Sequence, residues 1–257
     1  MTSFMAFALE GFPMIRDGDD LAKIIVQTAE ENGLRLQNLD VIAVAQKVFS
    51  KAEGRVVNLR DVTPSKKAQN LAKKIGKSPK FVELVLRETK RVLKASREIL
   101  LVEDVRGLVC INAGIDKSNV KGKGEFALLP LNPDKSAEEC RLRINRLTGK
   151  NVAVIVCDTY SRPFRKGQAN FAIGIAGISP FRDYRGKKDL FGQVLKVKNV
   201  AVVDEIAAAA ELVMGQAKEA RPVVVLRGLQ NSAVFCEECR LEELYISRKE
   251  DLFRNVL

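Results

Sequence analysis

A mixed α/β or α+β fold follows from three features of this sequence. Strand-like apolar runs and helix-like periodic stretches alternate irregularly rather than as regular β-α pairs. Neither a phosphate loop nor a dinucleotide fingerprint is present. No repeat, low-complexity tract or linker divides the chain, so residues 1–257 are expected to form one domain with a charged tail from about residue 230.

The elements follow in order. Residues 19–31 place Leu21, Ile24, Ile25 and Thr28 on one helical face, and Gly33 ends the helix. Residues 40–49 form a β-rich run entering the polar stretch Ser50-Lys51-Ala52-Glu53-Gly54. Residues 65–75 and 79–93 read as two helices parted by Gly76-Lys77-Ser78, the second opened by Pro79. Residues 99–102 and 108–111 resemble a hairpin. Residues 130–135 make a turn, and Ser136-Ala137-Glu138-Glu139 fits a capping box. The helix after it should bury Cys140, Ile144 and Leu147 and end at Gly149.

Residues 152–156 are a continuous apolar strand. In residues 171–178, Gly174 and Gly177 permit close backbone packing. Residues 201–203 lead into an alanine-rich helix over 204–214, and 222–226 form another buried strand. Residues 235–257 read as a charged helical tail.

Composition narrows the chemistry. A formal charge of +11 favours polyanionic ligands. Nucleic acid is disfavoured, because the basic clusters carry no recognisable binding motif and few stacking aromatics. Histidine is absent, which excludes a Ser-His-Asp or Cys-His centre and a His-ligated zinc. Five cysteines, an odd number, argue against a secreted disulfide framework. Cys110, Cys140 and Cys157 read as core residues, and Cys236-Glu237-Glu238-Cys239 as structural or incidental rather than redox-active. No apolar run is long enough for a membrane span, and the N-terminus has no basic region ahead of an apolar one, so a cytoplasmic protein is expected.

Two segments hold the candidate chemistry: 112–119, ending Ile115-Asp116-Lys117-Ser118-Asn119, and 157–165, opening Cys157-Asp158-Thr159. Each places a carboxylate where an apolar strand opens into a polar loop. Asp116, Asp158, Asn119 and Thr159 offer oxygen ligands, while Arg162 and Arg165 add positive charge. This mixture suits a hard divalent cation beside a phosphorylated ligand. Strand-end aspartates also cap turns, and the residues alone leave both readings open. Gly76-Lys77-Ser78 is not a phosphate loop, since Leu71 stands where its first glycine belongs and Pro79 follows. Lys51, after the first long strand, is a candidate phosphate contact.

The ordered matches place these residues in a wider pattern. Glu10-Gly11-Phe12-Pro13, Ser50-Lys51-Ala52-Glu53-Gly54-Arg55, 112–119, Asp158-Thr159 with Arg162 and Arg165, and 167–177 all contribute. So do 185–192, 204–208, Met214-Gly215 and 224–228. Over residues 10–229 the chain resembles the coenzyme F420-0:γ-glutamyl ligases in their stand-alone form.

That resemblance implies an unusual mixed α/β fold and an enzyme joining L-glutamate to F420-0, then further glutamate by γ-linkage. It implies GTP as co-substrate, Mg2+ or Mn2+ with K+ as a candidate monovalent ion, and a homodimer. Asp116, Asp158 and Thr159 would be the metal positions, with Asp116 and Asp158 catalytic through the metal. Phe12, Pro13, Met14, Ile15, Ala45, Gln46, Lys51 and Asn119 would meet GTP, together with Met214, Gly215, Gln216, Ala217, Lys218, Glu219, Ala220 and Arg221. Arg162, Arg165, Arg185 and Lys187 are candidates for the anionic substrate. The alternatives are a related ligase with another acceptor carboxylate, and a basic nucleic-acid-binding protein. The tail after Leu229 matches nothing in the pattern.

Overall fold

The computed structural model describes residues 2–162, 164–247 and 249–251. In chain order its elements are β1 (Met5–Ala8), α1 (Leu21–Glu31), β2 (Val41–Ala45), α2 (Gln46–Ala52), β3 (Val56–Asn58), α3 (Lys66–Ile75) and α4 (Pro79–Arg87). Then come β4 (Thr89–Ser96), β5 (Ile99–Asp104), β6 (Val109–Ile111), β7 (Glu125–Ala127), α5 (Pro133–Thr148), β8 (Ala153–Ser161) and β9 (Gln168–Ala176). Last are β10 (Arg182–Asp183), β11 (Asn199–Val200), α6 (Val202–Met214) and β12 (Val223–Arg227). Helices and strands mix in an α+β arrangement, as the sequence predicts. The chain forms two compact units: residues 1–15, 19–49 and 132–244, and residues 16–18, 50–131 and 245–257.

The first unit is built on a five-stranded sheet ordered β1-β12-β2-β8-β9. β2 and β8 run parallel, with Val41 opposite Ala153, and the other pairs are antiparallel. Val41–Val44, Ala153–Val156 and Val223–Leu226 are fully buried, because helices cover both faces. Val41, Ala43, Ala153 and Ile155 point to α6, into a core with Val203, Ile206 and Ala210. α5 packs on β8 and β9 and also meets α1.

Short-range chemistry fixes the helix ends. Asp20 accepts the Lys23 N–H at the start of α1. Asn132, not the Ser136 capping box, caps α5: it accepts the Lys135 N–H, and Pro133 takes the first turn. Ser136 lies inside that turn and donates its hydroxyl to the Asn132 carbonyl. Gly149 ends α5 in the left-handed conformation at φ 68°, as expected. Cys140 and Ile144 are buried, but Leu147 is 42 % exposed, on the wrong side of the helix for the core.

β9 is the outer strand of its sheet, and its outward N–H groups are met by helix carboxylates. Glu211 accepts from Asn170 at 3.0 Å, Asp204 from Ala172 at 3.0 Å, and Asp134 from Ile175 at 2.7 Å. The change of parity between 172 and 175 follows a register shift, where Val156 faces Gly174 but Cys157 faces Ala172. α5 and α6 both pack against β9, so the strand is covered within its own unit.

The second unit holds α3 and α4, the sheet β4-β5-β6 and the β3–β7 pair. Its polar centre is an ion network: Glu88 takes Arg55 and Arg106, and the fully buried Asp104 takes Arg106. Burial pushes the Asp104 carboxyl up, against the pull of Arg106.

Several expected boundaries move. The β-rich run stops at Ala45, and Gln46 begins a helix that buries Val48, Phe49 and Ser50. The helix opened by Pro79 ends at Arg87, and Thr89 onward is strand, pairing with β5. The alanine-rich helix begins at Val202, two residues before its expected start, and ends at Met214 as expected. Past Phe235, the helical structure among the described residues is one 3-10 turn, Leu241–Leu244; residues 248 and 252–257 of the expected tail lie outside them. Cys236 and Cys239 are joined as a disulfide, while Cys110, Cys140 and Cys157 are buried outside it. No helix of the described residues is long and apolar enough to cross a membrane.

Candidate functional site

In the first unit the chemistry gathers where the apolar part of β8 ends. Asp158 and Thr159 are not in a loop after the strand but inside it, paired with Phe171 and Asn170. The pairing continues to Ser161 because β9 runs antiparallel alongside as far as Gln168. Pro163 lies outside the described residues. Thr159 shares its face with Cys157, two residues back, and so points toward α6.

There its hydroxyl lies 2.8 Å from Asn170 Oδ1 and 3.2 Å from Gln216 Oε1. Gln216 Nε2 donates to Glu211 Oε1 at 2.7 Å and lies 3.4 Å from Asn170 Oδ1. Asn170 is buried, and Asp158 and Thr159 are half-buried. Burial pushes the neighbouring Cys157 thiol far up, helped by the Asp158 charge, so it stays a thiol in the core.

The stretch after α6 is a shaped loop. Gly215 turns it at φ 74°, where a Cβ would meet the Glu219 side chain at 2.5 Å. Glu219 accepts the Ala217 N–H at 2.7 Å, and its own N–H together with that of Ala217 holds the carboxyl below the usual range. Met214 is buried, Gln216, Ala217, Lys218, Glu219 and Ala220 are exposed, and Arg221 lies 3.8 Å from Glu10. Phe12 and Ile15 anchor the loop after β1, leaving Pro13 and Met14 exposed. Ala45 and Gln46 sit at the junction of β2 and α2.

Arg162 is half-buried and Arg165 exposed, in the turn between β8 and β9. Arg185 is bound to Asp183 at 2.6 Å, and Lys187 stands over the Tyr184 ring at 5.2 Å. Both belong to a hairpin closed by β10 and β11, whose tip exposes Leu190 and Phe191 almost completely.

In the second unit, Asp116 follows a left-handed run, Asn112, Ala113 and Gly114 at φ 53°, 54° and 67°. Its backbone bridges to Ala127, and its carboxylate accepts the N–H and hydroxyl of Ser118 at 2.8 and 2.7 Å. Asn119 is exposed at φ 54°, and Lys51 is half-buried in the last turn of α2.

The donor chemistry fits a hard divalent cation: carboxylates, a hydroxyl and amide oxygens, with no imidazole in the chain and Cys110, Cys140 and Cys157 buried. Among the described residues no three His, Cys, Asp or Glu side chains gather into a ready-made cage. Mg2+ characteristically needs only one or two carboxylates when phosphate oxygens complete its shell. Sequence reasoning missed Asn170 and Glu211. The only hint was a lone late carboxylate in an alanine-rich helix.

Comparison with known proteins gives the chain a family. The family described as F420-0:Gamma-glutamyl ligase matches residues 11–228. The coenzyme F420:L-glutamate ligase of Archaeoglobus fulgidus is 46 % identical over 251 residues, 98 % of this chain and 96 % of that protein. Proteins of the same name from Methanothermobacter thermautotrophicus and Methanocaldococcus jannaschii are 43 % and 42 % identical, over 86 % and 95 % of this chain and 87 % and 94 % of their own length.

Proposed function

The chain belongs to the F420-0:γ-glutamyl ligase family, and from that membership we propose that it forms an amide between L-glutamate and a carboxylate of F420-0, with GTP as co-substrate. The observation that carries this reading is the extent of the likeness, which runs from the loop after β1 to the end of β12. Further glutamate is then added by γ-linkage.

A carboxylate does not react with an amine at neutral pH until its oxygen becomes a leaving group. In the proposed route the substrate carboxylate attacks the γ-phosphorus of GTP, and the bond to GDP breaks. The resulting acyl phosphate is attacked by the glutamate amine, which loses a proton as inorganic phosphate departs. Such chemistry depends on positioning and charge neutralisation more than on acid–base groups. That suits a chain without histidine.

Asp116, Asp158 and Thr159 are the residues we assign to Mg2+ or Mn2+. When bound, the metal neutralises phosphate oxygens. Lys51, Asn119, Gln46 and Ala45 are assigned to GTP, with the 12–15 and 214–221 loops. Arg162, Arg165, Arg185 and Lys187 are assigned to the anionic acceptor. A net charge of +11 supports two polyanionic substrates. The exposed Leu190 and Phe191 supply apolar surface for the homodimer that completes this reading.

The test is mass spectrometry of F420-0 after incubation with L-glutamate, GTP and MgCl2 or MnCl2. Addition of one or more glutamyl residues, with matching GDP, is expected. GDP release with F420-0 left unchanged would move the activity to another acceptor carboxylate, and neither product would refute the ligase.

A further inference from the structure

Glu211 is bound on both of its oxygens, and both partners are donors. Oε2 accepts the Asn170 backbone N–H at 3.0 Å, and Oε1 accepts Gln216 Nε2 at 2.7 Å. Only a side chain with two acceptor oxygens satisfies that pair, so a carboxamide cannot replace the carboxylate here.

The consequence falls on Gln216. Turning its amide over would bring a carbonyl oxygen to 2.7 Å from a carboxylate oxygen. The amide is therefore held one way, with its oxygen 3.2 Å from the Thr159 hydroxyl. Asn170 Oδ1 approaches the same hydroxyl at 2.8 Å. A threonine hydroxyl has one proton and donates to one of these oxygens at a time. Gln216 Nε2 also lies 3.4 Å from Asn170 Oδ1, so that oxygen has a second donor, and the oxygens of Thr159, Gln216 and Asn170 converge on one point where a hard cation would meet all three.

We propose that Glu211 is a positioning residue: clamped to the edge of β9, it locks the Gln216 amide with its oxygen toward Thr159, so that the oxygens at the end of β8 are arranged for a cation before one binds. This rests on reading Thr159 as a metal position. The carboxylate of Glu211 is bonded to Gln216 and to the Asn170 N–H, and through them it acts. Outer-shell partners of this kind characteristically change metal affinity by about 10- to 100-fold.

The test is Mn2+ binding in the presence of GTP, read by the electron paramagnetic resonance of free Mn2+ and so independent of turnover. Glu211→Gln should weaken Mn2+ by about 10-fold, with its thermal midpoint showing that it is folded. The swap Glu211→Gln with Gln216→Glu restores the donor–acceptor match: the new carboxamide accepts from Asn170 and donates to the new carboxylate. It should bind Mn2+ more tightly than either Glu211→Gln or Gln216→Glu alone, a pattern that the added carboxylate at 216 would not give by itself and that a merely structural role for Glu211 would not give either. Parental Mn2+ affinity in Glu211→Gln, or a swap that binds no better than the tighter of the two single variants, would overturn the proposal. A parent protein that binds no Mn2+ would instead overturn the metal reading beneath it, and the proposal with it.

Discussion

Gly174 of β9 lies against Pro133 of α5 so closely that a Cβ at 174 would sit 2.5 Å from the Pro133 carbonyl carbon. The neighbour is backbone at the capped start of a helix, so it cannot swing aside as a side chain would. Gly174→Ala is expected to cost about 3 kcal/mol, at the upper end for overpacking. Urea unfolding of parent and variant measures it, and a loss under about 1 kcal/mol would show that α5 shifts freely.

Asp158→Asn keeps the strand pairing with Phe171 and removes one negative charge. If Asp158 holds the metal, turnover should fall by more than about 100-fold, beyond what outer-shell changes cost. Circular dichroism should remain that of the parent. Ligation at the parental rate would take Asp158 out of the mechanism.

Lys51→Ala should weaken GTP binding by about 1.5–3 kcal/mol, the range for a hydrogen bond to a charged group. Titration calorimetry with GTP and MgCl2 gives the number. Since α2 ends at Ala52, the substitution falls in the final turn of a short helix, where alanine is tolerated. An unchanged Kd would place the phosphates elsewhere.

The Asp204 carboxyl is pushed up by burial, and only the Ala172 N–H pulls it back. A carboxyl with a raised folded pKa contributes stability below its unfolded pKa and loses it as pH rises through the folded value. Asp204→Asn still offers an oxygen to Ala172 but does not titrate. From about pH 4 to pH 7 the variant should therefore gain on the parent in urea midpoint. Parallel stability curves over that range would mean that Asp204 stays ionised at no cost.

Much of the first unit was legible because buried strands announce themselves. The runs 153–156 and 223–226 are unbroken β-type apolar residues, and both proved to be inner strands. Gly149 and Gly174 could be read because each has a steric reason to lack a Cβ or to adopt positive φ. Val48 and Phe49 misled, since two apolar residues after a strand look like more strand until their helical neighbours bury them. Arg91 and Leu93 carry no strand signal of their own, because β4 shows no clean alternation and shifts register twice against β5.

At the site, Asp158 and Thr159 stood out as polar residues ending an apolar run. Asn170 and Glu211 did not. Their roles depend on the sheet edge and on the turn of α6, which bring together residues 41 positions apart. No local spacing encodes that meeting.

The parallel pair of β2 and β8 joins Val41 to Ala153, and all of 50–131 is threaded between them. The central sheet therefore has to close a long loop before its first parallel contact forms, and that entropy opposes fast folding. The second unit's hairpins and adjacent helices close much shorter loops. Refolding should be sequential, with the sheet's parallel centre last to form. Until then β2 presents an apolar strand without its neighbour, so concentrated refolding mixtures will lose material to aggregation chiefly through the first unit.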